Sequence, residues 1–213
     1  MTKWSLIFVK GESMSKKQLT TEKIIQAAMD EFSEKGYENS STNVISETAG
    51  ISKGLIFKYF SSKKGLYLFL IDWGVKKMLS EMEKSDLPKK GDPFEKIIEI
   101  ILWKGLFASQ YPRETKLLLE GISNPPKGME SEIQSSLEGL REFSLNSFFS
   151  QIDFTRFSEE YSREDVLRNI SYAIEGLQAA TLRKGLTLET LQSVKDSSIN
   201  FLKIVIKGME KHE

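Results

Sequence analysis

The sequence predicts an all-α protein of about nine helices, and three observations carry that expectation. Apolar residues recur at three- and four-residue steps in one segment after another, the spacing of a single helix face. No segment sustains the period-two alternation of a half-buried strand. Glycine, proline and hydroxyl or acidic capping residues stand at the junctions between the periodic stretches.

The first helix follows Thr20 or Thr21, either of which can accept a hydrogen bond from a free N–H of the first turn. It carries Ile24, Ala27, Ala28 and Phe32 on one face and ends at Gly36, which can take the left-handed conformation that closes a helix. After the polar stretch Asn39 to Thr42 comes a short second helix, Asn43 to Ala49, broken by Gly50. Ser52 caps a third, Lys53 to Phe60, and Lys63 opens a longer fourth with Leu66, Phe69, Leu70, Trp73 and Leu79. The polar Pro/Gly run Leu87 to Gly91 interrupts the pattern. Asp92, Pro93 and Glu95 then start a fifth helix with a capping residue, a proline in the first turn and a glutamate placed to reach back. That helix carries Ile97, Ile98, Ile101, Leu102 and Phe107. A sixth begins at Pro112, runs through Leu119 and ends near Gly121, and Pro125-Pro126 forces a loop. The seventh spans about Met129 to Phe149, with Ile133, Leu137, Leu140, Phe143 and Phe148 on its apolar side. Two long helices finish the chain: Arg163 to Lys184, entered at Ser162 and left at Gly185, and Leu188 to Met209, entered at Thr187.

Composition narrows the function. The 213 residues include thirty basic and thirty acidic side chains, so attraction for a polyanion must come from a local patch. The absence of cysteine excludes disulfides, thiolate nucleophiles and cysteine-ligated metals, and the reading is of a cytoplasmic protein. The only histidine, His212, is next to the last residue, so one chain cannot build a Ser-His-Asp triad or a two-histidine metal site. No paired acids stand at catalytic spacing on an apolar face, and no enzyme, cofactor or metal is expected. No stretch approaches the roughly 18 consecutive apolar residues of a membrane span, so no membrane partner is expected. Residues 1–17 are read as a tail, and Met14 is a second candidate start because the helical pattern begins just after it.

Asn43 to Phe60 has helix-turn-helix logic: two short helices, a glycine in the turn, and Ile45, Ala49, Ile51, Ile56 and Phe60 able to pack inward. One face of the second helix is then free. On it or at its ends lie Ser52, Lys53, Gly54, Phe57, Lys58 and Tyr59, followed by Lys63 and Lys64. Four lysines and no acid between Ser52 and Lys64 make a local cationic patch of the kind that neutralises phosphates. Gly54 would let the helix start approach a groove floor closely.

These residues match a known pattern. Ile24-Ile25-Gln26-Ala27-Ala28, Phe32, Gly36-Tyr37, Thr42, Ile45, Ala49-Gly50-Ile51-Ser52-Lys53-Gly54, Tyr59-Phe60, Lys63 and Leu66 resemble the amino-terminal domain of the tetracycline-repressor (TetR) family of transcriptional regulators. The resemblance covers roughly residues 18 to 70. It implies an all-α fold with a three-helix DNA-binding domain ahead of a divergent ligand-binding and dimerising domain. It further implies that Thr42 and Lys63 bind phosphates and that Ser52, Lys53 and Gly54 face phosphates or base edges. Phe57 stands where the family most often has tyrosine, so a phosphate hydrogen bond is lost while contact with a sugar or a thymine methyl stays open. Lys58 and Tyr59 would lie against the backbone or groove, although Tyr59 fits a buried position equally well. Ser46 replaces a usual alanine and is small enough to fit.

The expected division is 18–65 for the DNA-binding domain and 66–213 for a ligand-binding and dimerisation domain, with 66–84 connecting them. Trp103, Phe107, Phe143 and Tyr172 are the preferred lining of an apolar effector pocket, with Tyr172 and Gln178 as polar contacts. Ile170, Ile174, Leu177 and Thr181 on one helix, and Leu191, Ser198, Leu202 and Val205 on the next, make two stripes that either form a homodimer interface or pack inside one subunit. The function expected is a homodimeric repressor released from a palindromic double-stranded DNA operator by an apolar effector. The alternative is a DNA-binding protein without such an effector, regulated by a protein partner.

Overall fold

The computed structural model describes residues 15–85, 87, 92–141, 152–184, 187 and 189–211. Among these, nine α-helices follow one another without a sheet: α1 Lys16–Asn39, α2 Thr42–Ala49, α3 Lys53–Phe60, α4 Lys63–Lys84, α5 Pro93–Gln110, α6 Pro112–Ser123, α7 Glu130–Arg141, α8 Arg163–Lys184 and α9 Leu191–Lys207. One 3-10 turn, Phe154–Arg156, was not expected. The fold is all-α, as the periodicity requires.

Several ends differ from the sequence reading for local reasons. α1 begins earlier, because Ser15 and Gln18 form a reciprocal capping box. Thr20 and Thr21 cap nothing: their hydroxyls donate back to the carbonyls of Lys16 and Lys17 at 2.8 and 2.9 Å. Gly36 breaks the helix as expected, with φ 71°. α6 runs straight through Gly121 to Ser123. There the missing side chain serves packing, since a Cβ at Gly121 would sit 2.9 Å from Ile71 Cδ1. Asp92 caps α5 as read, its Oδ1 accepting the N–H groups of Phe94 and Glu95 at 2.9 and 3.1 Å. α8 starts on a reciprocal pair, Ser162 Oγ accepting from Asp165 N–H and Asp165 Oδ2 accepting from Ser162 N–H. Phe143, Phe148 and the helix end at Gly185 lie outside the described residues.

The chain divides into two compact units. The first joins the described residues up to Gly74 with Lys116–Ser136. Its interior holds Ile24, Phe32, Ile45, Ile56, Leu66, Leu70 and Ile71, each no more than 1% exposed, and Leu117, Leu118 and Ile133 are buried in it as well. Phe32, Tyr37 and Tyr67 form a ring cluster with centroids 5.1 to 6.1 Å apart. Gly74 would carry a Cβ 3.4 Å from the Leu118 side chain, so helix and helix approach closely there.

The second unit joins Val75–Thr115 with Leu137–Glu213. Its core is built from Ile97, Ile98, Ile101 and Leu102 of α5, Ile170, Ala173 and Ile174 of α8, and Leu202 and Ile206 of α9. A buried ion pair, Lys77 to Glu114 at 2.6 Å, lies beside the ring of Tyr111, whose centroid is 3.9 Å from Lys77 Nζ. The end of the chain is tied down by backbone bonds from Ser158 N–H to Met209 O and from Lys211 N–H to Arg156 O, at 2.9 and 3.1 Å.

This core corrects the interface expectation. Ile170, Ile174, Thr181, Ser198 and Leu202 are 0 to 5% exposed within one chain, and Leu177, Leu191 and Val205 pack against the same cluster. Of the two alternatives the periodicity left open, the stripes pack inside the subunit, because the apolar face of α5 covers them.

No helix of the described residues is long and apolar enough to cross a membrane.

Candidate nucleic-acid interface

The short helices α2 and α3 are held at a fixed angle by their own caps and a small shared core. Ser41 Oγ accepts the N–H of Asn43 at 3.3 Å and opens α2. Gly50, at φ 63°, closes it in the left-handed conformation. Ile51 N–H then donates to Ser46 O at 3.0 Å, which fixes the turn. Ile45, Ala49, Ile56 and Phe60 point inward and are buried, while Ile51 is half-buried. Ser46 is buried too, and its hydroxyl is satisfied by donating to Asn43 O at 2.8 Å.

With that side packed, the opposite side of α3 faces out. Ser52, Lys53, Gly54, Phe57 and Lys58 are exposed, Phe57 at 39%. Ser52 stands at the N-cap, but its hydroxyl makes no capping bond and is left for an external partner. A Cβ at Gly54 would meet nothing within 4 Å, so the start of α3 is open to close approach. Lys53 Nζ lies 5.8 Å above the Phe57 ring, a cation held against an aromatic face. Tyr59 is half-buried, its ring 6.5 Å from that of Phe60. It therefore belongs partly to the core and only its remainder is available outside.

Thr42 is the first residue of α2 and Lys63 the first of α4, both half-buried. Lys63 Nζ donates to Glu38 O at 3.2 Å and sits 4.6 Å above the Tyr37 ring. These contacts orient the ammonium without neutralising it. Lys64 differs, because its Nζ is bonded to Gly128 O at 2.7 Å and to Glu132 at 2.8 Å. The hydrogen bond from Lys64 holds the Glu132 carboxyl below its ordinary range. One of the four lysines in the run is therefore spent inside its own unit. Asn43 and Val44, the latter 37% exposed, stand beside Thr42 on the outer side of α2. Sequence reading missed Val44; its signal was an apolar β-branched residue off the Ile45 stripe.

Chemically this face offers ammonium groups and a hydroxyl for phosphate oxygens, with an aromatic ring and an unobstructed backbone for base edges. It has no nucleophile–base pair and no cluster of metal ligands among the described residues.

The expected effector lining is only partly assembled. The rings of Trp103 and Phe107 lie 5.4 Å apart at a tilt of 32°, and Tyr111 continues the ladder at 4.8 Å from Phe107. Trp103 is half-buried and Phe107 3% exposed. Nearby in sequence, burial pushes the Lys104 ammonium below its usual range, and the buried Thr115 hydroxyl has no partner among the described residues. Gln178 is half-buried and Phe143 lies outside the described residues. Tyr172 is corrected: it is 64% exposed, because the buried face of α8 is set by Ile170, Ala173 and Ile174 and position 172 turns to the other side. With Phe201 and Ile204 of α9, 44% and 63% exposed, it is among the large apolar side chains that this unit leaves uncovered.

Residues 24–69 match the model of bacterial regulatory proteins of the tetR family. The fatty acid metabolism regulator protein of Bacillus subtilis (strain 168) is 30% identical over 88 residues, 41% of this chain and 45% of that protein. The chain spans less than two thirds of the length of the curated relatives it matches first. Among solved structures, a TetR family transcriptional regulator from Chloroflexus aurantiacus J-10-FL superposes with a TM-score of 0.68 at 20% identity, over 91% of this chain and 94% of that one. The regulator FadR from Bacillus subtilis, in complex with stearoyl-CoA, superposes with a TM-score of 0.62 at 18% identity, over 89% of this chain and all of that one. At these identities the structural likeness is one of fold. Residues 24–69 therefore carry the helix-turn-helix domain of the tetR family of bacterial regulatory proteins, and the all-helical fold that continues beyond them is the fold of the solved TetR-family structures.

Proposed function

We propose that this protein is a homodimeric DNA-binding transcriptional regulator, a repressor that an apolar small-molecule effector releases from a palindromic operator. The observation that carries the reading is the outer face of α3. Lys53, Gly54, Phe57 and Lys58 are exposed together on a short helix whose other side is locked by Ile56 and Phe60. Lys63 adds an oriented cation at the start of α4, and Thr42 a hydroxyl at the start of α2. Phosphate contacts from the lysines would supply most of the affinity, and Lys53, Gly54 and Phe57 at the helix start would read base edges in the major groove.

Residues 18–65 are the reading head in this proposal and 66–213 the control domain. Palindromic DNA calls for two heads related by a two-fold axis, and the uncovered Tyr172, Phe201 and Ile204 are suited to join two chains. Control by an apolar effector is supported by the aromatic ladder Trp103–Phe107–Tyr111. It is also supported by likeness to FadR, which was crystallised with stearoyl-CoA. α4 would couple the two functions, since it starts at Lys63 in the first unit and ends at Lys84 in the second. The effector must prefer one spacing of the heads to shift the equilibrium. On this reading the protein acts in the cytoplasm and performs no catalysis.

The test is fluorescence anisotropy of the purified protein with DNA from upstream of its own gene, against scrambled DNA at fixed salt. Specific regulation predicts a preference of about a thousandfold or more. Equal affinity for that DNA and for a library of genomic fragments would overturn the reading.

A further inference from the structure

The second unit contains a pocket of about 420 Å³ that Trp103, Phe107, Tyr172 and Gln178, the described residues of the expected effector lining, do not line. It opens between the start of α5, the Phe154–Arg156 turn and the last two turns of α9. A volume of this order is within the range that holds small ligands. Its floor is apolar: Phe94, Ile98, Leu202 and Ile206 are 7%, 1%, 1% and 4% exposed and belong to the core of the unit.

The rim is charged, and the pairing of those charges is uneven. Asp92 is occupied in capping α5. Glu210 accepts from Nε and Nη2 of Arg156, while Glu95 keeps its charge at the α5 edge, since the nearby Lys195 is paired with Glu99. On the cationic side, Lys203 and Lys207 are one helical turn apart on the same face of α9. Both are exposed and have no hydrogen-bond or ion-pair partner among the described residues. Arg156 spends two donors on a single oxygen of Glu210, and its guanidinium carbon lies 5.8 Å from the Phe94 ring centroid, so Nη1 is not used in the Glu210 pair. The result is a hydrophobic basin whose charges are segregated: Lys203 and Lys207 on α9 and the held guanidinium of Arg156 stand on one edge, and Asp92 and Glu95 stand on the α5 edge.

We infer that this pocket binds an amphiphile with an anionic head, its apolar body on Phe94, Ile98, Leu202 and Ile206 and its head between Lys203, Lys207 and Arg156. A neutral or cationic amphiphile of the same body would gain the floor and lose the rim. None of its residues belongs to the first unit, so its occupancy can be measured without DNA.

Isothermal titration of the full chain with decanoate and decyltrimethylammonium below their micelle concentrations, and with decanol below its solubility limit, tests the inference without DNA present. Decanoate should bind at least tenfold tighter than either of the others. The double variant Lys203→Glu/Lys207→Glu, whose side chains are exposed and whose fold is checked by its melting temperature, should lose at least tenfold for decanoate and leave decanol unchanged. Glu95→Gln should bind decanoate as tightly as the parent or tighter. No heat with decanoate, equal affinity for all three probes, or undiminished decanoate binding by the double variant would each overturn it. Failure of sequence-specific DNA binding in the anisotropy experiment would leave this result untouched, so the two readings fail separately.

Discussion

Glu31 Oε1 accepts the backbone N–H of Ser41 at 3.0 Å, so a carboxylate two turns from the end of α1 holds the entry to α2. The same carboxylate receives Lys35 Nζ at 3.0 to 3.2 Å, and Ser40 Oγ donates to Glu31 O at 3.1 Å. Glu31 is 5% exposed, which makes this a buried polar joint between the first helix and the helix-turn-helix. Glu31→Ala should lower stability by about 1–3 kcal/mol by leaving the Ser41 N–H and the joint unsatisfied. Glu31→Gln keeps an acceptor for Ser41 and gives up the ionic pair with Lys35, so its loss should be visibly smaller. Chemical denaturation of both variants checks the order, and equal losses would put the weight on charge instead of on the Ser41 contact.

Gly65 stands in the first turn of α4, where an added Cβ would sit 2.1 Å from the carbonyl oxygen of Phe60, the last residue of α3. Backbone cannot yield to relieve that contact as a side chain would. Between the two, Ser61 already takes a positive φ of 68°. Gly65→Ala should therefore displace the end of α3 and weaken DNA binding tenfold or more, despite alanine's better helix propensity. Gly54→Ala, inside α3 with open space around it, should raise the melting temperature slightly through alanine's helix propensity while weakening DNA affinity.

The legible part of this protein was whatever local chemistry dictates. Periodicity marked Ile24, Ala27, Ala28 and Phe32 as one buried face, and Gly36, Gly50 and Asp92 ended or began helices where their backbone or side-chain chemistry says they should. The outward residues of α3 followed from subtracting the inward ones. What covers an apolar stripe is not local information. Ile170, Ile174 and Leu202 read equally well as interface or core, and only the position of α5 decides for the core. Gly121 looked like a stop because its role, close approach to Ile71, depends on a residue fifty positions away. Lys64 read as one more free cation until Glu132 and Gly128 were brought to it by the fold.

Tyr67 is 1% exposed, and its hydroxyl has no hydrogen-bond partner among the described residues. Burial, helped by the charge of Glu120, pushes its pKa from 10.0 to about 12. The folded state therefore holds this proton more tightly than the unfolded chain, and stability falls as pH rises from about 10 toward 12. The slope is bounded at about 1.4 kcal/mol per pH unit for one proton. Tyr67→Phe removes both the orphaned hydroxyl and the titration. Its melting temperature should equal or exceed the parent's at pH 8, and the gap should widen steadily above pH 10. A constant gap from pH 8 to 11 would mean that the phenol titrates as it does in the unfolded chain.

The lysines of the interface should separate by their partners. Lys63 is oriented by a carbonyl and a ring, and Lys53 by the Phe57 ring, so both keep a full charge for phosphate. Lys63→Ala should weaken all DNA alike and lower the slope of log affinity against log salt by about one. Lys53→Ala should do the same and, where it reaches a base, also reduce the preference for the operator. Lys64 is already neutralised by Glu132, so Lys64→Ala should leave the salt slope unchanged. A slope change for Lys64 equal to that for Lys63 would mean that the Glu132 pair opens on DNA.

Assembly provides the last separation, because exposed and buried residues alternate along one helix. On α9, Ile204 is 63% exposed while Leu202, two residues earlier, is 1% exposed and packs in the core. Introducing a charge at Ile204 places it on a solvated face of the single chain, where it costs the fold little. In a dimer joined through Tyr172, Phe201 and Ile204, the same charge is buried without a partner. Ile204→Glu should thus lower the sedimentation coefficient from dimer to monomer at unchanged helicity. Leu202→Ala should instead cost about 2–5 kcal/mol of stability by opening a cavity. An Ile204→Glu protein that still sediments as a dimer would move the interface off this face, and with it the two-fold axis that sets the distance between the two copies of α3 in the proposed dimer.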